Sequence, residues 1–454
     1  MLQVINPATG VLIRQYPKMS ELSALNILDR VAESHAEWRA TDFPYRAERM
    51  RTAADVLRGR AGEFAQLMTL EMGKPITEAR AEVEKCAISC EYYADHAERM
   101  LAPETANTEA ARSYWTYRPL GVVLAVMPWN FPFWQVFRFA TPNLMAGNAG
   151  VLKHASNVPG CALAIEEVFR EANFPHDLFR TLLVDRSQVS GIIDDDRVRA
   201  ITVTGSVAAG KAIAEKAGAL AKKTVLELGG SDPYLVLADA DLGIASETCA
   251  KSRLINSGQS CIAAKRFVVV DAVHDAFVER FVERMNRAKM GDPMRDDTEV
   301  GPLARTDLRD ALHDQVRRTV EAGAHCVLGG EIPEEDGAWY PPTVLVDVSP
   351  GMPAYGEELF GPVAAVIRVR DEEAAIKVAN DTSFGLGAAI FTRDNERGER
   401  IARDRLEAGS CFVNTLVKSD PRLPFGGIKE SGYGRELSDL GIREFVNAKT
   451  VWVR

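Results

Sequence analysis

The sequence predicts an α/β protein built on two parallel sheets, each covered by helices on both faces, with a small separate β arm. Three observations point there. From residue 120 short apolar runs alternate with helical segments, the alternation resumes near residue 233, and the polar residues able to do chemistry in the first region fall just after its strands. Runs of this kind imply strands buried on both faces, and a sheet so covered receives ligands at the carboxyl ends of its strands. At 454 residues the chain also exceeds one ordinary core.

In chain order, INPATG at 5–10 is a strand end running into a Pro/Gly turn. Ser20 then caps a helix through SELSALNILDRVAESHAEW, whose Leu, Ile and Val recur at helical spacing. Residues 44–100 continue as helices broken by MGKP at 72–75, and this half is expected to be scaffold without chemistry of its own. RSYWTYRP at 112–119 and the last ten residues, FVNAKTVWVR, alternate as strands with one exposed face, readable as an assembly edge or an ordinary sheet edge. The first parallel region reads GVVLAVMP, a helix from 133, AGVLKH, a helix from 158, FRTLLV, a helix, VRAITVTGS, a helix from 208, and KTVLEL. The second opens at PYLVLADADLG, with Asp239 or Asp241 as helix cap. It continues through RFVVVD, a helix from 272, and strand-bearing units near 325, 362, 386 and 410.

Composition narrows the function. Hydrophobic residues at 46% and charged residues at 26% are those of a soluble globular protein. A formal charge of -10, with no long basic run, speaks against a nucleic-acid partner. Seven scattered cysteines form no disulfide framework and suggest a reducing compartment; Cys86 and Cys90, one helical turn apart, lack the further ligands a zinc site needs, so no metal is expected. With no basic leader and no stretch of membrane-spanning length, the expectation is a cytoplasmic protein without membrane contact.

One cysteine stands in unusual company. In LINSGQSCIAAKR at 254–266, Cys261 follows a Gly-Gln-Ser turn; Gly258 permits a backbone bend, and Ser260 and Ala263 leave room for a carbonyl to approach the sulfur. A lone cysteine is commonly structural. Here LELGGSD supplies the carboxylate of Glu227 beside two glycines, and MPWNFP supplies the amide of Asn130 on a turn, a combination suited to acyl chemistry. GSVAAGKA at 205–212 fits a phosphate-loop spacing, but Ala212 occupies the place of the Mg²⁺-binding hydroxyl. A dinucleotide clamp of another kind, a defective NTPase loop and a plain strand-to-helix turn all remain open on that segment alone.

Together PWNFP, VTGS with Gly210, LELGGSDP, SGQSC, EELFGPV at 357–363 and PFGGIKESGYGRE at 424–436 resemble, in order, the motif set of the aldehyde dehydrogenase superfamily across essentially the whole chain. Within it FWQVFR, KHASNVPGCA and SGQSCIAAKRF are most similar to bacterial succinate-semialdehyde dehydrogenases. The resemblance implies an aldehyde dehydrogenase-like fold with two Rossmann-type domains. Residues 1–110 and 121–229 would bind cofactor, 230–424 would carry the thiol, and 111–120 with 440–454 would be oligomerisation strands of a homodimer or homotetramer. It implies Cys261 as nucleophile, Asn130 with the Cys261 N–H as oxyanion hole, and Glu227 as the base that hydrolyses a thioester, with the Gly229–Gly230 pair giving that base room to move.

The resemblance further places the cofactor on Lys153 and Ser156 at the adenosine ribose, on Trp129, Gly205 and Ser206 near the pyrophosphate, and on Glu358 and Phe360 at the nicotinamide ribose. Ser156 stands where many NAD-preferring relatives have Glu, so NADP is expected to be accepted alongside NAD, Lys153 pairing with the 2′-phosphate. Arg138 and Ser419 would hold the carboxylate of succinate semialdehyde. Two departures stand out: Ile255 where some semialdehyde enzymes have arginine, and Phe139 where a lysine is common. The alternatives are a broad aliphatic or glutarate-semialdehyde dehydrogenase and, from another class, a cofactor-independent thiol esterase using the same three residues.

Overall fold

The computed structural model describes residues 1–454, and two parallel sheets organise them. The first has six strands in the order Gly432–Tyr433, Lys223–Glu227, Val198–Thr204, Val122–Met127, Ala149–His154, Phe179–Thr181, all parallel except Gly432–Tyr433. Val122–Met127 reads VVLAVM and is buried almost throughout, as a strand covered on both faces must be. Chain order reverses there: the strands that follow at 149 and 179 lie on one side, those at 198 and 223 on the other. Such a reversal leaves a crevice beyond the strand ends.

The second sheet has seven strands in the order His325–Leu328, Thr343–Val346, Val363–Val369, Arg266–Val270, Pro233–Val236, Gly387–Phe391, Ser410–Val413, with only His325–Leu328 antiparallel. It reverses in the same way beside Pro233–Val236. Separate apolar cores cover its two faces, one around Leu235, Val268 and Ile367, the other around Tyr234, Phe267 and Val366. Asp241 caps the helix Leu242–Leu254, accepting from the N–H groups of Gly243 and Ile244, while Asp239 binds Thr392 and Arg397 instead.

The first 100 residues form a strand hairpin, Leu2–Ile5 with Leu12–Tyr16, and four helices, Glu21–Trp38, Phe43–Gly59, Ala61–Met72 and Ile76–Met100. The break at MGKP has a steric cause: Gly73 sits at φ 80°, and a Cβ there would lie 2.8 Å from the Pro302 ring. Two carboxylates tie these helices to the first sheet. Glu71 accepts from the Gly160 and Cys161 N–H groups, and Glu82 from those of Phe133 and Trp134, satisfying the starts of the helices Pro159–Glu171 and Trp134–Met145. Glu82 is also ion-paired to the buried Lys74.

One segment departs from the sequence reading: FRTLLV is a strand only over Phe179–Thr181. The helix after it is Val189–Asp194, and a further strand of the second sheet forms at Thr343–Val346. The small arm is a three-stranded antiparallel sheet, with Val446–Val453 paired residue for residue along Arg112–Pro119, which pairs in turn with Glu104–Ala106. Val446–Val453 is its largely exposed edge, with Trp452 51% accessible.

Candidate active site

The ends of the first sheet place the residues singled out above. Trp129 and Asn130 follow Val122–Met127, Lys153 lies at the end of Ala149–His154, and Glu227 is the last residue of Lys223–Glu227. Gly205 and Ser206 open the helix Val207–Ala219, where the Ser206 hydroxyl accepts from the Ala209 N–H. A Cβ on Gly205 would meet nothing within 4 Å, so the approach to this helix N-terminus is open. Lys153 is half-buried and makes no ion pair or hydrogen bond within the protein; burial depresses its pKa, leaving a cation in need of an anionic partner. Ser156, nearby in sequence, is exposed.

Cys261 follows a segment of left-handed backbone: Asn256 at φ 53°, Ser257 at φ 54° and Gly258 at φ 77°. Only glycine fits the third position, because a Cβ would stand 2.2 Å from the Gly361 carbonyl oxygen. The two non-glycine residues are held there by hydrogen bonds. The Asn256 amide donates to the carbonyls of Asn130 (2.7 Å) and Gln259 (3.1 Å), and the Ser257 hydroxyl accepts from Gly301 N–H at 2.9 Å. Gln259 accepts from Ala304 N–H, and Lys265, fully buried, donates to the carbonyls of Ser260 and Cys261. The loop is thereby fixed from four directions.

The Asn130 amide nitrogen donates one proton to the Gln259 carbonyl at 3.1 Å, which orients it and leaves its second proton free. The Cys261 N–H donates to no protein acceptor. Burial pushes the Cys261 thiol up to about 11, against the pull of Arg138 and Lys265. Glu227 is 2% exposed, and neither carboxylate oxygen has a hydrogen-bond partner. Burial, and then Glu436, raise it well above the carboxylate range, while Arg138 works the other way. Burial raises Glu436 as well, but Arg138 is ion-paired to Glu436, so of the two carboxyls Glu227 is the one that ionises less readily.

A cavity of about 330 Å³ ends on Cys261 and Ser260. Its wall includes Arg138, Ser419, Ile255, Phe131, Trp134 and Phe425. Glu227 is not part of that wall; it lies behind Gly426, where a Cβ would come within 2.7 Å of its carboxylate. The Gly229–Gly230 pair permits close packing: a Cβ on Gly229 would meet the Glu358 carboxylate at 2.4 Å, and one on Gly230 the Cys261 carbonyl at 2.8 Å. Glu358 accepts from the Gly230 N–H at 2.9 Å and lies 3.4 Å from the Lys265 ammonium, and Phe360 meets Trp129 edge-on at 5.8 Å. Phe139 packs edge-on against Phe445, and the cations acting on Glu227 are Arg138, ion-paired to Glu436, and Arg435.

The cavity wall also contains residues that sequence reasoning placed in a scaffold. Glu78, Glu82 and Lys85 come from the helix Ile76–Met100. Their signal was a charged pair, Glu82 and Lys85, within and beside the apolar stripe Ala79, Val83, Cys86 and Cys90, where solvated charges do not belong.

The sequence model of the aldehyde dehydrogenase family matches residues 1–451. The chain belongs to this family. It is 52% identical over 452 residues to a probable succinate-semialdehyde dehydrogenase of Synechocystis sp. whose name carries NADP(+), with 100% of this chain and 99% of that protein covered. It is 50% identical to the succinate semialdehyde dehydrogenase Sad of Escherichia coli K12, named for NAD(P)+, over 99% of this chain and 97% of that protein. Among solved structures, the succinic semialdehyde dehydrogenase of Streptococcus pyogenes in complex with NADP+ superposes with a TM-score of 0.97 at 39% identity, covering 100% of both chains. This aldehyde dehydrogenase is therefore an oxidoreductase, and no helix in it is long and apolar enough to cross a membrane.

Proposed function

We propose that this aldehyde dehydrogenase oxidises succinate semialdehyde, or a semialdehyde of similar length, to the dicarboxylate, using NADP+ and accepting NAD+. The observation that carries the reading is the cavity lined by Cys261 in whose wall Arg138, Lys85 and the Ser419 hydroxyl stand among aromatic and aliphatic side chains. Cofactor residues fit the group: an open helix N-terminus at Gly205–Ser206 for the pyrophosphate, unpartnered Lys153 beside exposed Ser156 for a 2′-phosphate, and Trp129, Glu358 and Phe360 grouped near the catalytic loop. Nicotinamide, when bound, supplies the hydride acceptor.

The protein's own residues do the rest. Cys261 gives its proton to solvent water and its sulfur bonds to the aldehyde carbon, and the oxygen that becomes anionic is received by the free proton of the Asn130 amide and by the Cys261 N–H. After oxidation a thioester remains on the sulfur. Glu227 deprotonates the water that cleaves it. Burial and the lack of any hydrogen-bond partner raise Glu227 well above the carboxylate range where it stands, so to take that proton it must gain solvation or a hydrogen bond. A cofactor-independent esterase would have no use for the free Lys153 or the open Gly205 turn. Assembly of at least two copies through the strands at 112–119 and 446–453 belongs to the same proposal.

A panel of aldehydes assayed with each cofactor tests the reading. Succinate semialdehyde with NADP+ is expected to give the highest kcat/KM, and Ser156→Glu to shift the cofactor ratio toward NAD+. Equal rates with butanal, or a large NAD+ preference in the unmodified enzyme, would contradict it.

A further inference from the structure

Among the basic residues lining the tunnel, two are enclosed and differ in what they already hold. Arg138, deep beside Glu227, is ion-paired to Glu436, contacts the Thr204 hydroxyl at 3.3 Å and lies 4.5 Å over the Phe425 ring. Lys85 has no ion pair. Its ammonium donates to the Ser419 hydroxyl at 2.7 Å and stands 4.2 Å over the Trp134 ring, and the Trp134 N–H donates to the same hydroxyl at 3.2 Å. The Ser419 oxygen thus accepts two bonds, which leaves its own proton to donate elsewhere, and two of the three ammonium protons of Lys85 are unspent.

The acids and cations around Lys85 do not neutralise it. Glu82 is engaged by Lys74 and two backbone N–H groups, Asp420 is held by Arg422, and Arg138 repels it. Lysines 251 and 418 line the same cavity but are exposed. An enclosed ammonium without a counter-ion is unfavourable unless an anion arrives to meet it. Burial, followed by Arg138, brings Lys85 down to about 8.

We propose that Lys85, on the helix Ile76–Met100, is the specificity-determining cation of this enzyme: with the Ser419 hydroxyl it receives the carboxylate of the semialdehyde, while Arg138 serves the Glu227–Glu436 pair and so acts on every aldehyde alike. The proposal rests on the semialdehyde reading above and assigns its recognition to a residue outside the sequence motifs. An ammonium and a hydroxyl closing on one carboxylate give two charge-assisted hydrogen bonds in the same cavity that Cys261 lines.

Lys85→Met and Lys85→Arg test it, measured with succinate semialdehyde and with butanal, an aldehyde of the same length without the carboxylate. In Lys85→Met the ratio of kcat/KM for the two aldehydes is expected to fall by about 30-fold, chiefly through KM for the semialdehyde. Lys85→Arg should recover part of it. In the unmodified enzyme the ratio should decline as pH rises through about 8, where Lys85 loses its proton, and in Lys85→Arg it should not. Arg138→Met should lower both rates and leave the ratio nearly unchanged. A ratio unaltered in Lys85→Met overturns the assignment; Lys85→Gln carries the same comparison if the methionine variant does not fold. Unmodified enzyme that favours butanal would instead refute the semialdehyde reading, so the two failures are distinguishable.

Discussion

Cys261 begins the catalytic cycle as a thiol, because its burial withholds solvation from a thiolate and pushes the thiol up to about 11. The thiolate fraction should therefore grow with pH, and alkylation of the cofactor-free protein by iodoacetamide should speed up about tenfold per unit between about pH 7 and pH 9. A rate already constant at neutral pH would show a thiolate at rest and remove Arg138 and Lys265 from a minor to a governing role. At this scale the sequence was most informative where residues are constrained by chemistry: Asn130 and the Cys261 loop are joined through the Gln259 carbonyl, and Gly205 opens a helix at the end of a strand of the first sheet. It was least informative about partners. Nothing in the order of residues told that Arg138 is engaged by Glu436, or that Gly229 is bare because the Glu358 carboxylate occupies its Cβ position.

The element that positions the sulfur is the left-handed turn at 256–258, and its strain is offset by the hydrogen bonds of Asn256, Ser257 and Gln259. Gly258→Ala should destabilise the fold by about 3 kcal/mol and lower activity more than thermal stability, since the new Cβ would push the loop off the Gly361 carbonyl and carry Cys261 with it. Tm and kcat/KM measured together check this; full activity in the variant would show that the turn is not what aims the thiol. A Gly-Gln-Ser turn was visible in the sequence, but two successive non-glycine residues in the left-handed region were not, because their conformation is imposed by long-range contacts. The helix Ile76–Met100 shows the same limit. Its apolar periodicity was plain, but its role as a tunnel wall depends on where the helix Trp134–Met145 lies, which local pattern does not encode.

At the level of the molecule, the two parallel sheets were legible because continuous apolar strands alternating with helices leave little other architecture open. The additional strand at Thr343–Val346 and the shortened one at Phe179–Thr181 were not, being settled by neighbours in the sheet rather than by propensity. The exposed edge of the arm, with Trp452 at its end, should be covered by another copy of the chain. Sedimentation equilibrium should return at least twice the chain mass of 49.8 kDa, and a stable monomer would leave that edge unexplained.

The most direct test follows the acyl group itself. Glu227→Gln, mixed with NADP+ and succinate semialdehyde, should release one reduced nicotinamide per active site in a burst and then turn over at least about 100-fold more slowly than the unmodified enzyme. Mass spectrometry of the trapped protein should find the succinyl group on the peptide containing Cys261. Undiminished turnover, the absence of a burst, or acylation at any other residue would contradict a mechanism in which this sulfur carries the substrate and Glu227 frees it.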